Sequence, residues 1–107
     1  MTTLILKGIV QQLLTNFASA SGTGTMYALP YSIVDGTTQL DITGTPDNVE
    51  VNFEISIDGL EFGSLQPIVV GLNQLDSIVA ARFVRANVIA NPDTATLNLT
   101  FLAKAFL

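Results

Sequence analysis

The chain contains no cysteine, no histidine and no tryptophan, and only four Lys or Arg against nine Asp or Glu. Each absence removes a class of chemistry. Without cysteine there is no disulfide, no thiol nucleophile and no thiolate zinc site, and the redox compartment is left open. Without histidine there is no imidazole to act as general acid, base or metal ligand. Lys7, Arg82, Arg85 and Lys104 are too few to neutralise a run of phosphates, and the net charge of −5 repels them. Neither nucleic acid nor an anionic membrane is therefore expected as a partner. No apolar run reaches the length of a membrane span. The N-terminal MTTLILKGIVQQLL is interrupted by Lys7, Gln11 and Gln12, so it does not read as a secretory leader. The expectation is a protein made and used without export.

What remains is a single domain of 107 residues in which 49% are hydrophobic and only 12% charged. An ordinary soluble domain carries roughly twice that share of charge. The polar complement is Thr, Asn, Ser and Gln. A neutral surface of this kind is expected to have part of its apolar area covered by another chain.

The clearest local signal is Val49 to Phe62, VEVNFEISIDGLEF. Val49, Val51, Phe53, Ile55 and Ile57 alternate with polar residues, which predicts a strand with those five facing a core. Asp58-Gly59 predicts a type I′ hairpin turn, with Gly59 at positive φ. Asp35-Gly36 reads as a second turn of that kind. Leu40 and Ile42 mark another strand, and Gly44 to Asn48 a turn. Tyr27 to Val34 is a strand demoted to an edge or broken by Pro30. Phe62 to Val70 is a strand, Gly71 to Asp76 a loop, Ile78 to Ala90 a long apolar strand, Asn91-Pro92-Asp93 a sharp turn, and Ala95 to Leu107 the last strand. Short strands punctuated in this way predict an all-β antiparallel β-sandwich, jelly-roll or discoidin-like.

The N-terminus reads less simply. Ile9, Val10, Leu13, Leu14 and Phe17 fall at helical spacing, so a short helix or extended arm is expected, with a strand over Leu4 to Val10 as the alternative. Small residues from Ala18 to Thr25 predict a flexible connection. Residues 1–25 would then form an arm that orders against a partner, and residues 26–107 the sandwich body. Leu102 and Phe106 lie opposite Leu97, Leu99 and Phe101 on the last strand, giving it apolar residues on both faces. Ile9, Leu13, Phe17, Leu102 and Phe106 are therefore the candidate interface residues of a dimer or trimer.

No catalytic constellation emerges. Glu50, Glu54 and Asp58 share a strand face, but four residues along a strand span about 13 Å, beyond the roughly 5–9.5 Å of a glycosidase pair. Asp47, Asn48, Asp58, Glu61 and Asp93 offer oxygens to calcium, yet none forms an EF-hand loop and each suits a turn. Gly22-Thr23-Gly24 lacks the Lys and the strand-to-helix context of a phosphate cradle. Tyr27, Tyr31 and Phe62 could form a stacking platform for a sugar, or simply pack. No enzyme activity, cofactor or metal is expected.

The pattern F-E-x-S-x-D-G-x-x-F at Phe53 to Phe62, followed by Ala81-Arg82-Phe83-Val84-Arg85, resembles two β-sandwich groups. One is the discoidin-like (coagulation factor 5/8 C-type) domains that bind carbohydrate or lipid. The other is a set of small virion proteins of tailed bacteriophages. The chain is shorter than discoidin-like domains and lacks their bridging cysteines and ligand-binding loop tips, so it is more similar to the virion group. That resemblance implies a capsid decoration (cement) protein, bound to a major capsid or other virion protein and assembled in the host cytoplasm. The discoidin-like resemblance implies a carbohydrate-binding adhesion module as the alternative.

Overall fold

A computed structural model describes residues 6–29, 33–75 and 81–106. They form nine strands, all paired antiparallel: β1 (Leu6–Phe17), β2 (Gly22–Thr23), β3 (Tyr27–Ala28), β4 (Ile33–Thr43), β5 (Glu50–Ser56), β6 (Gly63–Ile68), β7 (Gly71–Gln74), β8 (Phe83–Ala90) and β9 (Thr96–Phe106). One sheet runs β1-β9-β4-β7; the other runs β2-β8-β5-β6, with β3 also pairing β8. Taking β2 and β3 as one interrupted strand, the pairings nest: β1 with β9, β2/β3 with β8, β4 with β7, β5 with β6. That nesting is the path of a long hairpin rolled up on itself, the jelly roll. The expected all-β antiparallel sandwich is thus the observed fold.

Alternation along the strands supplies the core. Val51 and Phe53 of β5, Val84, Ala86 and Val88 of β8, and Leu97, Leu99, Phe101 and Ala103 of β9 are all buried. The Phe53 and Phe101 rings meet across the two sheets, 5.5 Å between centroids and inclined at 41°, a geometry that suits the aromatic quadrupole. Ile57 departs from its expected inward position. β5 ends at Ser56, and Ile57 lies in the following loop with 72% of its surface exposed.

The helix or arm expected at the N-terminus is instead β1, an edge strand paired with β9 from Leu6↔Phe106 to Phe17↔Leu97. The helical spacing has a physical cause. Register shifts fall between Gln12 and Leu14 and again between Leu14 and Phe17. Each bulge inserts a residue and re-aims the next side chain, so adjacent Leu13 and Leu14 are both buried and a period of two imitates one of 3.6. Asn16, at φ 47°, occupies the second bulge, and its N–H donates to Asn98 Oδ1 at 2.9 Å.

The expected flexible connection contains β2 and closes one side of the sandwich. The Gly24 N–H donates to the Ala86 carbonyl (2.9 Å), and the Thr25 N–H donates to the Leu13 carbonyl (3.0 Å). Two further expectations change. Asp35-Gly36 lies inside β4 beside a bulge, not in a hairpin turn. Gly71 to Gln74, expected as loop, is strand β7, made possible by Asn73. Its side chain accepts from the Val69 N–H (3.0 Å) and donates to the Val69 carbonyl (2.7 Å), closing the turn between β6 and β7. The Asn91-Pro92-Asp93 turn is present. Buried Asn91 donates from Nδ2 to the Ser19 and Ala95 carbonyls, and its Oδ1 accepts the Ala95 N–H. One side chain thereby ties the β1–β2 connection to the β8–β9 turn.

Candidate interaction faces

The outer face of the β2-β8-β5-β6 sheet gathers the two motifs noted in the sequence. Antiparallel pairing places Glu54 opposite Arg85 and Asn52 opposite Asn87. Glu54 Oε1 accepts from Arg85 Nε at 2.8 Å, and Oε2 accepts from Asn87 Nδ2 at 3.0 Å. The Arg85 guanidinium lies 3.8 Å from the centroid of the Phe62 ring, which covers it. A charge-assisted pair capped by an aromatic face holds better than an open surface pair.

The Asp58-Gly59 loop completes this cluster. It spans residues 57–62 rather than a two-residue type I′ turn. Asp58 Oδ1 accepts the Leu60 N–H (2.9 Å), the Glu61 N–H (3.0 Å) and the Ser56 hydroxyl (3.1 Å). These donors, the Glu61 and Leu60 amides foremost, hold the Asp58 carboxyl below its ordinary value. Gly59 sits at φ +78°, as expected from the sequence, and a Cβ there would touch the Phe83 ring at 3.4 Å. Both motifs are thus absorbed by one another: Glu54, Ser56, Asp58 and Phe62 lock the loop to Arg85 on β8. The cluster presents no free carboxylate pair.

The outer face of the β1-β9-β4-β7 sheet is different in kind. Cross-strand registers place Val10, Leu102, Thr37 and Gln74 in one row and Gln12, Thr100, Gln39 and Leu72 in the next. Val10 is 69% exposed, Leu72 75% and Leu102 46%. Among them runs a shallow groove of about 290 Å³, lined by Val10, Gln39, Asp41, Leu72, Thr100 and Leu102. The surface is apolar and neutral-polar, and among the described residues that line it Asp41 alone is ionisable.

The candidate interface residues divide. Ile9 and Leu13 face inward and belong to the core, and half-buried Phe17 packs against it. Their helical stripe is therefore not an outer surface. Leu102 does lie on the outer face. Phe106 pairs with Leu6 through its backbone, and its side chain lies outside the described residues. Val10 and Leu72 are exposed apolar residues that sequence reasoning missed. Val10 could have been found by reading Ile9 and Val10 as opposite faces of a strand; Leu72 carried no signal, because its segment read as loop.

The other candidates come apart. Phe62 covers Arg85 and Tyr27 packs against the core, while Tyr31 lies outside the described residues. The Gly24 amide is used by Ala86. Among the described residues no group of three or more Asp or Glu is gathered to hold a metal.

No family model and no curated protein matches the sequence. Among solved structures, the chain is similar to the SPBc2 prophage-derived protein YomS, with a TM-score of 0.75 over 98% of this chain and 99% of that one. What they share is the fold. Sequence identity is 11%, so the likeness to YomS concerns the course of the backbone, end to end, and carries no residue-by-residue correspondence.

Proposed function

We propose that this chain is a non-enzymatic structural protein of a bacteriophage virion, most simply a capsid decoration (cement) protein that attaches to a major capsid or other virion protein. The observation that carries this reading is the coextensive likeness to a prophage-derived protein: 98% of one chain matched by 99% of the other. The described residues form one jelly roll. The neutral face around Val10, Leu72, Leu102, Thr100 and Gln39 supports attachment through apolar burial and amide or hydroxyl hydrogen bonds. On a symmetric shell, many copies of a modest interface act together.

The structure changes one part of this reading. Residues 6–17 form β1 and contribute Ile9, Leu13 and Leu14 to the core, so deleting residues 1–20 would unfold the body and cannot isolate an attachment arm. Substitutions on the outer face isolate it instead. The test is the copy number of this chain in purified particles of the phage that encodes it, with a glycan-array screen of the isolated protein beside it. A fixed, symmetry-related copy number, and attachment that changes little between low and high salt, are expected. Absence from particles together with saturable binding of a sugar would overturn the reading in favour of a carbohydrate-binding adhesion module.

A further inference from the structure

A sheet edge exposes unpaired amides and carbonyls, and proteins blunt such edges with short strands, prolines, bulges or covering segments. Three of the edges here are blunted. β6 carries Pro67. β7 has only four residues, and Gln66 Nε2 donates to its Gln74 carbonyl at 3.0 Å. β2 and β3 have two residues each, and between them the Gly24 and Thr25 amides donate to the Ala86 and Leu13 carbonyls. β1 has twelve residues. Its C-terminal half is closed by the two bulges, by the Thr25 N–H on the Leu13 carbonyl, and by Gln11 and Gln12 side-chain amides donating to the Gln12 and Leu14 carbonyls.

Its N-terminal half, Leu6 to Gln11, has β9 on one side and no described strand on the other. Every second residue there turns both its N–H and its C=O outward.

We propose that the Leu6–Gln11 edge of β1 pairs antiparallel with the same edge of a second copy, joining the two β1-β9-β4-β7 sheets into one continuous sheet across a two-fold axis. Three features favour a second copy. First, the Leu6–Gln11 edge carries no carboxylate and a single ionisable residue, Lys7, so two chains of net charge −5 meet here without acidic groups in the ladder and with each Lys7 opposite an uncharged residue. Second, a dyad normal to the sheet keeps outer face on outer face, so paired residues must have the same parity. With the axis at Ile9, Lys7 stands opposite Gln11 of the second copy, and Gly8 opposite its Val10. Third, a Cβ placed on Gly8 would meet nothing within 4 Å, so the bare glycine leaves room for an opposed valine. Val10, 69% exposed, and its β9 neighbour Leu102 would then form one apolar strip across the seam. An isologous contact of this kind closes at the dimer.

The pairing does not depend on the virion reading, and it is tested on the isolated full-length chain in solution. Sedimentation equilibrium should give a dimer at micromolar concentration. Hydrogen exchange over residues 6–12 should slow as concentration rises, while exchange in β5 and β8 stays constant. Val10→Lys, which places a charge beside its own copy in the seam, should weaken dimerisation about tenfold or more with the far-UV circular dichroism spectrum unchanged. A monomer at several hundred micromolar would overturn the proposal. So would a trimer, a dimer whose β1 exchange ignores concentration, or a dimer unaffected by Val10→Lys. If Val10→Lys fails to fold, the exchange measurement on the unaltered chain still decides.

Discussion

Gly24→Ala is the sharpest test of how the sandwich closes. Gly24 has no positive φ to explain it; what it needs is room. A Cβ built there would press on the Leu13 carbonyl oxygen and come within 2.6 Å of Leu14 Cδ2. The leucine methyl can rotate away, but the carbonyl cannot. It is backbone of β1 and already accepts the Thr25 N–H at 3.0 Å. Overpacking of this kind costs about 1–3 kcal/mol, and displacing the Thr25 bond about another 0.5–1.5 kcal/mol. The reduced entropy of the unfolded alanine chain returns roughly 0.4–1 kcal/mol. The net expectation is a loss of about 0.5–4 kcal/mol, centred near 2, and the central value lowers Tm by roughly 8–16 °C in a domain of this size.

Thermal melts followed by circular dichroism, with urea titrations to confirm an unchanged m-value, measure it. Gly63→Ala is the control, because a Cβ there meets nothing within 4 Å, and it should lie within about 0.5 kcal/mol of the parent. A Gly24→Ala protein melting with the control would refute the reasoning and place the β2–β3 crossover away from β1.

Thr38 is buried with no hydrogen-bond partner for its hydroxyl, so Thr38→Val should raise stability by about 1 kcal/mol, read as a higher urea midpoint; an unchanged or lower midpoint counts against an unpaired hydroxyl. Arg85→Ala removes both the bond to Glu54 and the stack on Phe62 and leaves a mostly buried carboxylate without its cation, a loss of about 1.5–3 kcal/mol that a matching melt would contradict. The Asp58 carboxyl is held below its ordinary value when folded, so its contribution is present above the unfolded pKa and fades as pH falls through the folded one. Asp58→Asn should therefore flatten the acid limb of a stability–pH curve below the usual carboxylate range, while an acid limb identical to the parent's would mean the loop amides do not grip the charge.

Much of this fold was written locally. The alternation of Val51, Phe53 and Ile55, and of Leu97, Leu99 and Phe101, settled that the chain is β and which faces turn inward, because side-chain direction on a strand depends only on parity. Gly59 at positive φ and the turn at Asn91-Pro92-Asp93 followed from residue types whose backbone preferences act over a few residues. The lack of cysteine and histidine, and the scarcity of charge, bounded the chemistry before any fold was known.

What depends on distant partners was not written locally. Leu13 and Leu14 are both buried because β9 pairs with β1 in a register that needs two bulges, and no window of sequence around Phe17 holds the other strand. Ile57 is exposed because β5 leaves the sheet at Ser56, where Asp58 draws the Leu60 and Glu61 amides into a loop. Gly24 is small for the sake of a carbonyl eleven positions earlier, and Glu54 is buried on a polar face because Arg85 and Asn87, more than thirty residues away, satisfy both its oxygens. The exposed apolar face was hidden for the same reason. Val10, Leu102 and Leu72 come from three separate strands, and only the order β1-β9-β4-β7 makes them neighbours on one surface. Periodicity fixes the direction of a side chain; which side chains meet is decided by pairing, and pairing is a property of the whole chain.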